Sequence, residues 1–320
     1  MYLEKSLIFL LKLLDTRDMA QIMLCPICNS EKGSKFLGYA VISPWIRKLI
    51  ACKATRSSLF NCLWCRNSWF TYRYSFSEME SIYSDYRGNK YLRIRNEWEP
   101  WYNENYNDGH FAHYFVSTRK AAIAGFIEKY LDAEELFNII DVGGDIGQFI
   151  PDFAQSTLKY VFDVSDKVLA NGVERISNEA SIKNMDLVIS AHVLEHLDRP
   201  LDEIKKLLTF GKNLYVEVPL GYPESNRRRR SYTLNRFAVA AAKNHFLWRN
   251  LTSPSAGRDA RGGAWLKTSI LRQSEHINFF SLDGFSKLLK SIGVEYKIEV
   301  SEIPAPDGAS MAVLQILIKQ

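Results

Sequence analysis

Four of the five cysteines stand in two pairs, Cys25-Pro-Ile-Cys28 and Cys62-Leu-Trp-Cys65. Each Cys-x-x-Cys turn presents two thiolates on one side, and two such turns complete the four-sulfur tetrahedron of a structural zinc ion. The 33 intervening residues are more than a zinc ribbon normally holds and leave room for a hairpin or a small helix. Two disulfides or a redox pair are the other chemistries this spacing permits, the first disfavoured in a reducing compartment and the second needing one pair only. Four thiolates leave no open coordination position, so zinc at Cys25, Cys28, Cys62 and Cys65 folds the module and takes no part in chemistry. Cys52 is expected to be a buried spare.

A second constellation lies at residues 139–149, IIDVGGDIGQF. Gly143, Gly144 and Gly147 allow a tight turn at a strand end, and Asp141 places a carboxylate beside it. Asp163 follows 22 residues later in YVFDVSD, where a carboxylate can accept both hydroxyls of an adenosine ribose. A helix cap is the plainer reading of Asp163. Asp141 separates the possible cofactors: a pyrophosphate over the turn would be repelled by it, whereas the ammonium group of a sulfonium amino acid is attracted. This favours S-adenosylmethionine, and the lack of a GxxxxGK[ST] run excludes a phosphate loop.

The elements that must position these residues alternate. A helix is expected from Thr118, as cap, over TRKAAIAGFIEKYLD. Strands follow at 136–142, 160–164, 186–190 and 214–218, with helices after Gly147, from Lys167 and over 201–208. Such alternation predicts a doubly wound, mostly parallel α/β sheet. A helix over 282–292 then precedes two strand patterns, 296–303 and 311–318, joined by a turn too short for a parallel crossover, so the seven-stranded sheet should end in an antiparallel hairpin. The chain divides into an extension (1–23), a zinc-binding module (24–75), an aromatic-rich linker or lid (76–117) and a main domain (118–320). A short helix over 75–86 begins the linker, with Ser75 or Ser77 as its cap. The linker aromatics either pack between the domains or cover the site.

In these motifs the chain resembles class I S-adenosylmethionine-dependent methyltransferases, and more closely a bacterial subgroup with an N-terminal four-cysteine zinc module that includes sugar C-methyltransferases. The resemblance rests on CPIC with CLWC, SFSEMESIYSDY, IDVGGDIGQF, VFDVS, MDLVISAHVLEHLDRP, LYVEVP and EHINFFSLDGFSKLLKSIG, in family order over most of residues 25–293. It implies that Asp141, Gly143, Gly144, Asp145 and Gly147 hold the methionine part of the cofactor, Asp163 and Val164 the ribose side, and Ala191 and His192 the surroundings of the sulfonium. Asp145 stands where the family has its central glycine.

Methyl transfer needs an acceptor atom in line with the sulfonium and often a base. His196 and His276 each follow a glutamate, and histidine is the base best tuned to neutral pH. Hydrogen bonding to the backbone at a strand end is the structural alternative for His196. A histidine in a similar Glu-His motif serves as base in the sugar C-methyltransferases, so the resemblance puts His276, with Glu275 and His196, in the catalytic group. Arg272-Gln-Ser274 replaces the Tyr-His that precedes the motif in that subgroup.

Residues 221–275 interrupt the pattern with eleven Lys or Arg against three acids, while the whole chain carries a net charge of +5. Arginines recognise phosphate in a bidentate fashion, and an insert at this position lies beside the catalytic face. The expected acceptor is a small molecule or glycan, including phosphorylated forms such as a nucleotide-linked sugar, which points to polysaccharide or natural-product biosynthesis. A solvated surface run and peripheral contact with an anionic membrane surface are the other readings of the insert. RNA or protein as acceptor, and a cofactor-binding module without activity, stay open, although nucleic acid is disfavoured because no binding motif accompanies the charge. The apolar run at 6–14 is broken by Lys12 and reads as an amphipathic helix; no transmembrane segment is expected, and the location is expected to be cytoplasmic.

Overall fold

The computed structural model describes residues 24–153, 157–221, 241–252, 272–304 and 310–319. The run at 6–14 and the arginines at 227–230 lie outside the described residues. Among the described residues no helix is long and apolar enough to cross a membrane.

Strands β1 (Ser34–Ile42), β2 (Arg56–Cys62) and β3 (Ser68–Phe70) form an antiparallel meander around the cysteine pairs. The main domain contributes β4 (Asn138–Val142), β5 (Leu158–Phe162), β6 (Val173–Arg175), β7 (Met185–Ala191) and β8 (Gly211–Pro219). The short strands β9 (Arg272–Gln273) and β10 (Asn278–Phe279) come next, followed by β11 (Glu295–Pro304) and β12 (Ser310–Lys319).

The larger sheet has the order β11-β12-β8-β7-β4-β5-β6. Strands β4 to β8 are mutually parallel, and β12 runs antiparallel to both β8 and β11. The mostly parallel seven-stranded sheet with its C-terminal antiparallel hairpin is therefore present, with the reversed strand inserted inside the sheet and β11 at the edge. Helices cover both faces of a sheet of this kind, which is why β7 and β8 read as apolar runs with no alternation. Helix Pro200–Leu208 opens on a proline, where the missing N–H costs nothing, and buries Leu201, Ile204 and Leu207 on one stripe. Helix Leu282–Ser291 is capped by the Ser281 hydroxyl and buries Phe285, Leu288 and Leu289.

Three expectations are corrected. The helix expected after Gly147 is absent from residues 148–153, because Pro151 lacks an N–H and disfavours the helical region at Ile150. The helix expected from Lys167 is also absent: the Ala170 amide is drawn to the Ile146 carbonyl (2.9 Å), and Gly172 turns the chain at φ +75°. The helix assigned a Thr118 cap begins five residues earlier, at His113, and the Thr118 hydroxyl donates to the Tyr114 carbonyl inside it. The helix at 75–86 is found as Phe76–Tyr83, with Ser75 and Glu78 forming a reciprocal capping box. Cys52 is half-buried and donates to the Tyr72 hydroxyl (3.0 Å).

The smaller sheet has the order β10-β3-β2-β1-β9. Its outer strands come from beyond residue 271, so it extends past the 24–75 module and ties the cysteine region to the segment carrying His276. Arg73 fastens that joint. Its guanidinium donates to Asp198 Oδ1 (2.9 Å), to the Leu197 and Asp198 carbonyls (2.7 Å each) and to Asn278 Oδ1 (2.8 Å).

Candidate active site and four-cysteine cluster

Cys25, Cys28, Cys62 and Cys65 converge, with their sulfurs within 4.8 Å of one another and all four side chains buried. None is in a disulfide. Sulfurs at the corners of a tetrahedron about 2.3 Å from a zinc ion lie about 3.8 Å apart, and Cys28 Sγ and Cys62 Sγ are 3.8 Å apart. The four thiols thus fit zinc in number, donor type and spacing. They share one apolar cluster with Leu201, Phe280, Phe285 and Leu288, so the cysteine cluster is built into the main core.

At the end of β4 the chain turns through residues 143–147. Asp145 adopts φ +54°, a left-handed conformation that aspartate tolerates better than most residues. A Cβ on Gly144 would lie 2.3 Å from Asp141 Cγ, and one on Gly143 (φ +79°) 2.7 Å from Val193 Cγ2. The turn is therefore pressed onto Asp141 on one side and onto the segment after β7 on the other. Asp141 is 2% exposed, and its Oδ1 has no hydrogen-bond partner. Burial, reinforced by the charge on Asp163, pushes its carboxyl up to about 8. Asp163 Oδ2 accepts from the Asp145 amide (3.0 Å) and Oδ1 from the Ser165 amide (2.7 Å), which fixes the carboxylate at the mouth of the turn. Val164 beside it is 53% exposed. The Asp145 carboxylate pairs with Lys167 Nζ (3.0 Å) and accepts from the Ser165 hydroxyl (3.1 Å). Lys167 also donates to the Tyr86 carbonyl, linking the turn to the chain just beyond helix Phe76–Tyr83.

Beyond β7, His192 sits at φ +59° with Nδ1 3.2 Å from Glu195 Oε1 and Nε2 2.9 Å from Glu217 Oε1. Burial alone would lower its pKa, but the two carboxylates outweigh it and hold the imidazole up at about 9. Glu217 is buried in β8, paired with Arg119 Nη2 (2.5 Å) and accepting from the Tyr215 hydroxyl (2.8 Å). Burial opposes its charge, yet Arg119 and His192 bring it down to about 2.

The rings of His196 and His276 meet edge to face at 4.7 Å. Glu195 Oε1 lies 3.8 Å from His196 Nε2 and 4.0 Å from His276 Nε2. Burial would raise Glu195, but His196 and His192 bring it down to about 2. Burial and the adjacent His196 push His276 down to about 4; its side chain is 41% exposed, and the water at that edge softens the effect of burial. Both keep the His276 ring neutral at pH 7. Glu275, grouped with the catalytic residues from sequence, faces the other way: its carboxylate is bound by Tyr91 and by Arg95 Nη1 (3.2 Å), which against the cost of burial bring it down to about 2. The glutamate that meets the histidines is Glu195, from the other Glu-His pair. Sequence reading missed Glu195, Glu217, Arg119 and Lys167; the available signal was an acid inside an otherwise apolar strand at Glu217 and a duplicated Glu-His dipeptide at Glu195.

The fold and this geometry can be set beside known proteins. A family profile described as a methyltransferase domain matches residues 110–297. No curated protein matches the chain. Solved structures with a similar fold include magnesium protoporphyrin IX methyltransferase from Synechocystis PCC 6803 with bound SAH (13% identity, 70% of this chain and 94% of that one, TM-score 0.38). The plantazolicin methyltransferase BpumL in complex with SAH is another (12%, 71% and 95%, 0.39), and a third is the 1,6-didemethyltoxoflavin-N1-methyltransferase of Burkholderia thailandensis (11%, 68% and 84%, 0.39). The matched residues run from just before helix His113–Glu128 into β11 and contain the turn, Asp163 and both Glu-His pairs; the chain belongs to the methyltransferase-domain family.

Proposed function

We propose that this chain is an S-adenosylmethionine-dependent methyltransferase acting on a sugar, nucleotide-sugar or glycan acceptor. The observation that carries the reading is the contact of Gly143 with Val193, which sets the glycine turn directly against the segment bearing Glu195 and His196. Cofactor turn and candidate base thus share one set of strand ends, the usual place for chemistry in an open α/β sheet. The orphaned Asp141 Oδ1, buried beside the turn, fits the ammonium group of the cofactor. Asp163, held by two backbone amides, has oxygen lone pairs left for ribose hydroxyls, and Val164 offers an apolar edge to the base.

Bound there, S-adenosylmethionine supplies an electrophilic methyl group on its sulfonium sulfur. His276 is the accessible member of the histidine pair, its ring is neutral at pH 7, and it takes the acceptor's proton at Nε2. Glu195 stabilises the imidazolium that results, while Glu275 acts by anchoring the segment through Arg95 and Tyr91. The four cysteines hold a structural zinc ion. The sugar-type acceptor is supported by the likeness of Glu275-His276 to the sugar C-methyltransferase motif and by the cations of residues 221–275, which suit a phosphorylated acceptor. The combination suits polysaccharide or natural-product biosynthesis in the cytoplasm.

Calorimetric titration with S-adenosylhomocysteine tests the cofactor, with micromolar binding expected. Incubation with labelled methyl donor and a panel of nucleotide sugars tests the acceptor. His276→Gln should lower turnover by about 100-fold or more while leaving S-adenosylhomocysteine binding intact. Absence of that binding, or full turnover in the variant, would overturn the assignment.

A further inference from the structure

Glu195, His196 and His276 bring their ligand atoms within 4.8 Å of one another, although they come from two segments eighty residues apart. The groups face each other without joining. Glu195 is 1% exposed, and neither of its carboxylate oxygens makes an aligned hydrogen bond; His196 Nδ1 is buried and also unpartnered. His192 Nδ1 reaches Glu195 Oε1 from one side only (3.2 Å), and a buried carboxylate with no aligned hydrogen bond is expensive, so its convergence with the Nε2 atoms of His196 and of the part-exposed His276 calls for a missing partner. The backbone fixes their positions. The Glu195 carbonyl accepts from the amides of Ile277 (2.8 Å) and Asn278 (3.0 Å), and the Asn278 side chain bridges the carbonyls of Leu194 (3.0 Å) and Leu197 (2.7 Å).

We propose that Glu195, His196 and His276 form a binding site for a divalent first-row transition metal ion. Two imidazoles and one carboxylate are the donor set of mononuclear catalytic metal sites and suit Mn²⁺, Fe²⁺, Co²⁺ or Zn²⁺, whereas Mg²⁺ prefers all-oxygen surroundings. Ligand atoms on one such ion lie about 3.0–3.4 Å apart. The separations of 3.8 and 4.0 Å from Glu195 Oε1 to the two ring nitrogens therefore close by about half an ångström on binding. His192, bridging Glu195 and Glu217 from behind, orients the carboxylate as outer partners of metal ligands do. Three protein ligands leave positions open toward the exposed edge of His276, where an acceptor hydroxyl would bind the ion. The inference rests on the methyltransferase reading and revises one role in it: with the ion bound, His276 Nε2 would be a ligand, and the acceptor hydroxyl, acidified by the ion, would lose its proton to water at the exposed edge of His276.

The test uses the full-length protein with its cysteine cluster loaded with zinc. MnCl₂ is titrated in, and free Mn²⁺ is followed by its six-line electron paramagnetic resonance signal, since hard Mn²⁺ does not compete for four thiolates. One Mn²⁺ per chain is expected beyond the zinc. His276→Ala, at a part-exposed position, and Glu195→Gln should each weaken binding by at least about tenfold. No Mn²⁺, Co²⁺ or additional Zn²⁺ bound by the wild type at 100 μM, or equal binding by His276→Ala, overturns the proposal. Parallel titration with S-adenosylhomocysteine separates the two readings: cofactor binding without metal removes the metal and keeps the methyltransferase, while metal without cofactor does the opposite.

Discussion

A carboxyl group stripped of water keeps its proton to higher pH, and Asp141 at the end of β4, 2% exposed with Oδ1 unpartnered, is placed to do so. Burial, with Asp163 nearby, lifts it to about 8 from the ordinary aspartate range. The folded chain therefore holds a proton between about pH 4 and pH 8 that the unfolded chain has lost, and Asp141 subtracts stability as pH rises through that window. A ligand ammonium reverses the preference, so binding should expel the proton. S-adenosylhomocysteine affinity is expected to rise by up to about tenfold per unit from pH 6 and to level off near 8. Calorimetry in two buffers of different ionisation enthalpy should show proton release at pH 7, and Asp141→Asn should bind weakly with a flat profile. Asp145 raises a related question, because a charged side chain replaces a glycine in the turn. Its pair with Lys167 gives the answer, since the lysine neutralises the carboxylate and ties the turn to the Tyr86 carbonyl. Lys167→Met should weaken S-adenosylhomocysteine binding about fivefold to tenfold, on the order of 1 kcal/mol. If Asp145→Asn in the same chain recovers none of the loss, the lysine does not act through Asp145.

Between elements, a fully buried ion pair connects helix His113–Glu128 to β8, where Arg119 and Glu217 are 3% and 0% exposed. Removing one member of such a pair costs up to about 3–5 kcal/mol, and less here because His192 and the Tyr215 hydroxyl still hold Glu217. Arg119→Leu should lower stability within that bound in a urea titration, whereas a change below about 1 kcal/mol would mean that Glu217 takes up a proton without strain. Much of the element layout was legible in the sequence. Apolar runs gave β7 and β8, a serine cap gave helix Phe76–Tyr83, and the pattern over 282–292 gave helix Leu282–Ser291, whose Ser281 cap was not read. The short loop of the last hairpin fixed its antiparallel sense. The two helices expected after β4 and β5 failed because the strand–helix alternation suggested them while Pro151 and Gly172 opposed them. At the site, side chains near a glycine turn could be read from spacing, but Glu195 and Glu275 occupy identical dipeptides. The faces they adopt depend on where β7 and β10 place the backbone, which is a tertiary fact.

At the scale of the molecule, the cysteine cluster and the candidate active site are one mechanical system. The small sheet holds the cysteine turns at one end and, through the pairing of β3 with β10, the residues just after His276 at the other. Arg73 spans the same joint, and the apolar cluster around the four sulfurs continues into Phe280 and Phe285. Binding free energy of a structural zinc ion becomes folding free energy of whatever its ligands order. Stripping the metal should then loosen residues 272–280 as well as residues 24–70. The expected result of denaturing-strength chelation, or of Cys62→Ser, is faster amide exchange at Ile277 and Asn278, whose protons are held by the Glu195 carbonyl. Exchange at Ile140 and Val188, deep in the large sheet, should stay slow. Turnover should fall with the first pair of amides, because a displaced His276 no longer faces Glu195. S-adenosylhomocysteine binding, which depends on the turn after β4, should change much less. Hydrogen exchange followed by mass spectrometry on the treated protein checks both halves, and unchanged protection at 272–280 after zinc loss would show that the small sheet keeps the histidine in place without its metal.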